Sequence, residues 1–388
     1  MLFRSAAQDA IGSAGNSFEA NLVDKKFKLP QVLRGDIALD VVLPGGINAT
    51  FEAIYSKTLN NVFYEDINLT DPVGTVDPAY NNGADTRIAY AGSTNARRKN
   101  PVITNAILIS NTSKGYTYNL GVTLNRSWRN LFVQFAYNHN SANDVNSGAS
   151  STALSNWEFV QVVGNPNAAP LATSNYEMKH RFTGIVAFNI DYAKYFKTSL
   201  SFFYQGISGQ PFTYVVNGDL NSDGRFGNDL MYIPKDESEI NFIEILDRDN
   251  NVTFTREEQQ AAFQAFIDND KYLSKKRGQY VERNGSTTPW EHVIDARIAQ
   301  DFYVMTDGKR HTLQVTFDVF NFTNLLNKDW GRQYFVTNQA YSIVAQNRTS
   351  GPVAYRGKGY NFAPGSVPWT LAFGSRWQGQ IGVRYTFN

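Results

Sequence analysis

The sharpest chemical signal in this sequence is a run of oxygen-bearing side chains on one short stretch. Asp219, Asn221 and Asp223 are followed by Gly224, with Asn228 and Asp229 close behind. Oxygen ligands at the first, third and fifth positions and glycine at the sixth are what a calcium loop requires, because a hard cation wants several oxygens on one tight turn. The twelfth position is Leu230 rather than a bidentate glutamate, which leaves Asp229 as the substitute ligand. The alternative is a polar turn, where Asn, Asp and Gly are expected in any case. A second stretch places Asp247, Asp249, Asn251 and Glu258 at similar spacing, but Val252 at its sixth position tolerates the required turn poorly. It reads better as a loop entering a helix: Thr255 as N-cap, Glu258 three residues on, and helix over 259–267. Calcium is the one cofactor these residues suggest.

No catalytic constellation accompanies them. The sequence has no Gly-x-Ser-x-Gly, no phosphate loop and no His-Glu-x-x-His, so no enzyme activity is expected. The four histidines, His139, His180, His292 and His311, stand apart in the sequence and read as isolated strand residues. Without cysteine there are no disulfides and no thiolate metal sites. Thirty-six Lys+Arg against 35 Asp+Glu leave a net charge of +1, and no basic run carries interleaved aromatics, so no nucleic-acid partner is expected.

The elements that carry these residues read as strands. Aromatics make up 14 % of the 388 residues and charged residues 18 %, a balance that suits a pleated, half-buried surface. Alternation at period two is clearest at the end, where Ile381, Val383, Tyr385 and Phe387 oppose Gln380, Gly382, Arg384 and Thr386. The same pattern marks strands near 32–43, 47–56, 103–127 (bent at Ser113-Lys114-Gly115), 131–140, 179–192, 196–206, 290–306 and 309–320. Tight turns at Pro44-Gly45-Gly46, Trp128-Arg129-Asn130, Ala193–Phe196 and Thr306–Lys309 alternate with long structureless loops at about 57–101, 140–178, 206–289 and 321–376. Short turns at one end and long loops at the other are the asymmetry of an outer-membrane β-barrel, whose strands need about 9–11 residues to cross. On that reading Ile381, Val383, Tyr385 and Phe387 face lipid, while Arg34, Asp36, Asp40, Glu52, Asp295, Arg297 and Arg384 face the lumen, where ordinary wall pairings are their simplest role. Trp128, Tyr192, Tyr195, Phe196, Phe302, Tyr303 and Phe387 supply a girdle. Nine strands leave an unpaired edge that lipid does not tolerate, and no export signal opens the chain, so a barrel fragment with upstream strands missing is expected.

Several stretches then carry a resemblance. Phe27-Lys-Leu-Pro-Gln-Val-Leu-Arg-Gly-Asp, Leu43-Pro-Gly-Gly-Ile, Asn111-Thr-Ser-Lys-Gly-Tyr, Met178-Lys-His-Arg-Phe, Arg277-Gly-Gln-Tyr-Val-Glu-Arg-Asn, Asp318-Val-Phe-Asn-Phe-Thr-Asn-Leu-Leu-Asn and the closing Gln380-Ile-Gly-Val-Arg-Tyr-Thr-Phe occur in the order found in TonB-dependent receptors. From about Phe27 onward the chain resembles the C-terminal barrel part of that family, within it the Oar-like receptors of Bacteroidetes. One departure is the final Asn388, which leaves Phe387 penultimate; a larger one is that no plug and no TonB box are visible. The resemblance implies about nine antiparallel strands (32–388) of a 22-stranded barrel in the outer membrane of a Gram-negative bacterium, entered through an irregular external segment (1–31). It implies TonB-dependent uptake of an unidentified ligand. Its partners would be outer-membrane lipid, the missing plug and barrel strands, the TonB complex acting through that plug, and the barrel-assembly machinery recognising the last strand. A passive barrel or surface adhesin, and a soluble β-sandwich carbohydrate-binding module, are the alternatives kept open.

Overall fold

The computed structural model describes residues 17–347 and 358–387. Strands take 51 % and helices 11 %, so the chain is all-β. In chain order the larger strands are β1 (Phe18–Val23), β2 (Gln31–Leu43), β3 (Ile47–Asp66), β4 (Ile103–Thr112), β5 (Tyr116–Ser127), β6 (Leu131–Asp144), β7 (His180–Tyr192), β8 (Phe196–Ile207), β9 (Pro211–Asn217), β10 (Glu291–Thr306), β11 (Lys309–Phe320), β12 (Ala340–Asn347) and β13 (Gln378–Phe387). Three helices are described: α1 (Ala153–Glu158), α2 (Arg256–Asn269) and α3 (Phe322–Leu326).

One antiparallel meander dominates, in the order β2-β3-β5-β6-β7-β8-β10-β11-β13. The turns at 44–46, 128–130, 193–195 and 307–308 are as tight as their sequences require. Asp307 and Gly308 both have positive φ (50° and 74°), the backbone that matches strand twist in a two-residue hairpin. The expected bent strand is also present: β5 pairs with β3 from Asn48 to Lys57, and β4 takes over from Asn61 to Asp66. The sheet is open, since β2 and β13 each pair on one side among the described strands. Within the segment read as irregular, residues 1–16 lie outside the described residues, whereas Phe18–Val23 is a strand running parallel to β4.

Register sorts the side chains. Leu131, Phe188, Leu200, Ile298, Phe317 and Ile381 form one row across six strands, and Arg297, Asp318 and Gln380 lie in a row of the opposite face. Strands with a neighbour on both sides still expose their apolar face: Phe188 is 38 % exposed, Ile298 42 % and Phe317 44 %, whereas Ala136, Ala299 and Thr316 on the other face are buried. On this face Phe202 meets Phe322 of α3, with ring centroids 6.5 Å apart.

Two aromatic bands bound the apolar rows. At the tight-turn end, Tyr192, Phe196, Phe302 and Tyr385 share a row. At the loop end, rings follow one another from Tyr118 to His139, His180, Trp290, His292 and Tyr204, with centroid spacings of 4.9–6.1 Å. The histidines are therefore not isolated: His180 and His139 are 4.9 Å apart, and the His311 Nδ1 lies 2.6 Å from the Tyr385 hydroxyl. Tyr303 departs from the expected girdle, because register turns it to the polar face, where the Arg310 guanidinium stacks 4.0 Å above its ring.

The hydrophobic core lies in the long loops, which correct the expectation of structureless connections. Phe212, Tyr214 and Val216 of β9, Phe263 and Ile267 of α2, Ile343 and Val344 of β12, and Tyr360 and Phe362 pack into one cluster. β9 and β12 run parallel inside it. Helix α2 begins with the expected capping box, in which the Glu258 N–H donates to the Thr255 hydroxyl and the Thr255 N–H donates to the Glu258 carboxylate. These packed loops form a cap at one end of the meander, and Gly209 follows β8 into it; a Cβ there would sit 1.7 Å from the Thr288 carbonyl oxygen. Gly209→Ala is therefore expected to break the two hydrogen bonds in which the Gln210 N–H donates to the Thr288 hydroxyl and the Thr288 N–H donates to the Gln210 carbonyl, and to lower stability by about 2 kcal/mol or more in urea unfolding followed by tryptophan fluorescence. Gly35→Ala, which meets nothing within 4 Å, serves as the neutral control.

Candidate functional site: a buried acidic centre in the loop cap

The cap is pinned by Arg87, whose side chain is fully buried. Its Nε donates to both oxygens of Asp85 (3.0 and 2.9 Å), its Nη1 to Asp229 Oδ1 (3.2 Å) and its Nη2 to the Leu230 carbonyl (2.7 Å). The guanidinium also lies 5.2 Å from the Tyr280 ring, and the Tyr280 hydroxyl donates to Asp85. Burial alone would lower the Arg87 pKa, but the carboxylates of Asp85 and Asp229 outweigh it and hold the group protonated, above its ordinary value. The residue sits in a loop without periodic pattern, and its second partner is 142 positions away, so no local sequence signal marks it.

Asp229 links this pair to the oxygen-rich turn. Asp219 and Asp223 are 3 % exposed, and Asn221, Asn228 and Asp229 are wholly buried. The turn folds as its spacing predicts: the Gly224 N–H donates to Asp219 Oδ2 (3.1 Å), the Asp223 N–H to Asn221 Oδ1 (3.0 Å) and the Arg225 N–H to Asp223 Oδ1 (2.7 Å). Gly224 has φ +93°, a conformation side-chain-bearing residues resist. Asp229 is already engaged, its Oδ2 accepting from the Leu220 N–H (2.7 Å) and its Oδ1 from Arg87. Among the described residues, no three His, Cys, Asp or Glu side chains come together in a way that holds a metal ion. The Asn228 amide donates to Asp223 Oδ2 (2.8 Å), while its own Oδ1 is buried without a donor.

Electrostatically the turn is costly. Burial, and then the Asp219 charge, push the Asp223 carboxyl up to about 6. Burial raises Asp229 to about 7, with Arg87 opposing and Asp223 adding to the rise. Tyr90 is pushed up to about 12, first by burial and then by Asp223. Arg97, Arg98 and Arg225 border the cavity beside Asp223, and Arg225 is paired with Glu158 (2.9 Å).

The second acidic stretch does not assemble. Asp247 closes an exposed turn by accepting from the Asp249 and Asn251 N–H groups (both 2.9 Å), and Glu258 is taken by the helix cap. Several residues read as lumen-facing make wall pairings: the Arg34 Nε donates to the Ser56 hydroxyl (3.1 Å), the Thr50 hydroxyl to Asp40 (2.6 Å), the Asn321 N–H to Asp295 (2.8 Å), and Arg297 lies 3.5 Å from Asp318. Register puts Asp36 opposite Ile54, Glu52 opposite Gly121 and Arg384 opposite Gln314. Ile381, Val383, Tyr385 and Phe387 are all exposed. Elsewhere in the cap a cavity of about 600 Å³ is bordered by Phe159, Gln161, Phe226, Asn338 and Arg283, the last paired with Asp144 (2.7 Å).

No model of a known protein family matches this chain, and no curated protein matches it.

Two outcomes follow from the geometry. Arg87→Met leaves two buried carboxylates without their cation and is expected to cost about 3–5 kcal/mol, read as protease sensitivity of the cap with strand circular dichroism retained. Asp223 and Asp229 titrate higher in the folded than in the unfolded chain, so the folded cap holds extra protons. Stability is then full below the ordinary carboxylate range and falls as pH rises toward 6–7. Measured in chelator, the melting temperature should be higher at about pH 5 than at about pH 8, and Asp223→Asn should flatten that slope.

Proposed function

We propose that this chain forms part of the wall and external cap of an outer-membrane β-barrel of the TonB-dependent receptor type, serving uptake of an unidentified ligand. The observation that carries the reading is the apolar face of the meander, which stays exposed on strands flanked by neighbours on both sides. A sheet in water hides such a face, and hydrocarbon is the solvent that does not penalise it. The spacing of the aromatic bands supports the same solvent. The 13 residues of β7 join the two bands. At about 3.3 Å per residue and a tilt of about 45°, they span roughly 30 Å, the thickness of a bilayer core. No described helix is long and apolar enough to cross a membrane, so any crossing falls to the strands.

On this reading the tight turns face the periplasm and the folded loops face outside. Further strands pair with the edges at β2 and β13. Energised gating through a plug and the TonB complex, and recognition of the last strand by the barrel-assembly machinery, are parts of the same proposal. A passive barrel or adhesin would use the same wall, and the cap cavity, bordered mainly by uncharged side chains, gives it a binding surface.

The test is labelling from within the bilayer. In lipid vesicles, a photoreactive fatty-acyl probe should mark the Ile298–Phe317–Ile381 row and spare Arg297, Asp318 and Gln380. Phe317→Arg should cost about 2–4 kcal/mol in lipid. A chain that stays monodisperse without detergent and keeps that row protected would point to the soluble carbohydrate-binding module and end this proposal.

A further inference from the structure

We propose that the turn at 219–229 binds one calcium ion, with Asp219, Asn221 and Asp223 as side-chain ligands and Asn228 completing the set. The inference does not rest on the membrane reading, since the turn lies in the cap.

Two independent observations point to a cation. The first is the spacing of hard oxygen donors on a turn that Gly224 allows, buried so thoroughly that water cannot solvate the carboxylates. The second is Asn228, wholly buried, whose amide head lies against Asp223 and whose Oδ1 has no donor. A half-turn of that amide brings Oδ1 beside the Asp223 carboxylate, where a bound ion would bridge the two oxygens. In either orientation an acceptor in this pocket lacks a positive partner, and such an orphan costs on the order of 1–3 kcal/mol.

The ligand set also explains why acidic side chains alone do not assemble a metal site here. Asp229 is held by Arg87 and the Leu220 N–H, so it positions the turn rather than meeting the ion. Two carboxylates and two amide oxygens remain. Such a mixed set suits calcium, which accepts six to eight oxygens in adaptable geometry, better than magnesium, which demands a near-ideal octahedron.

Calcium titration of the full chain in detergent micelles at neutral pH, by calorimetry and by terbium luminescence sensitised through Tyr90 and Trp157, tests this directly. One ion per chain should bind, and chelator should lower the melting temperature by several degrees. Asp223→Asn should weaken binding at least tenfold, while Asp249→Asn, in the exposed turn, should leave it unchanged. Asn228→Asp, which adds a carboxylate, should tighten it; this variant decides the matter if Asp223→Asn fails to fold. Absence of saturable binding by the wild type, undiminished binding by Asp223→Asn, unchanged affinity of Asn228→Asp, or displacement of calcium by equimolar magnesium would each overturn the assignment.

Discussion

A guanidinium without water is the fixed point of this molecule. Arg87 can stay charged in a dry interior only because Asp85 grips it through both oxygens and Asp229 meets it from a distant loop. Everything near it inherits that arrangement. Tyr280 is drawn over the guanidinium and hydrogen-bonds Asp85; Asp229, held in place, offers its other oxygen to the Leu220 N–H and sets where the turn from Asp219 begins. Asp223 is desolvated in the same closed set of loops, 3 % exposed.

The wall and the cap obey different rules, and they were unequally legible for that reason. Strands with one apolar and one polar face carry their period in the sequence, so the nine segments, their order and their tight turns could be read in advance. The bend at 113–115 was legible from Ser-Lys-Gly, and the α2 boundary from Thr255 and Glu258. β9 was missed because Pro211–Asn217 is buried nearly throughout and so has no alternation to show. The histidine–aromatic string was missed because its members meet only across strands: His139 reaches His180 through register, not spacing. The oxygen-rich turn, Asn228 included, is legible in its motif, but Arg87, which holds Asp229 from 142 positions away, gives no local signal.

An apolar surface that finds no partner in the sheet has consequences for where compactness comes from. The meander contributes hydrogen-bond ladders and rows of half-exposed side chains, whereas close packing is concentrated among Phe212, Tyr214, Phe263, Tyr360 and their neighbours. The long excursions between strands therefore carry the packing: one large cluster, and two smaller ones around Trp157 and around Val160 and Val162.

The Tyr360 hydroxyl donates to Asn81 across 279 positions of chain. Four hairpins of the sheet (β2–β3, β5–β6, β7–β8 and β10–β11) close across tight turns and can zip as soon as each pair of strands exists, whereas this contact must wait for residue 360. A chain emerging amino end first would hold four zipped hairpins while both this latch and the pairing of β13 waited, so long-range closure rather than hairpin formation would set its slow step.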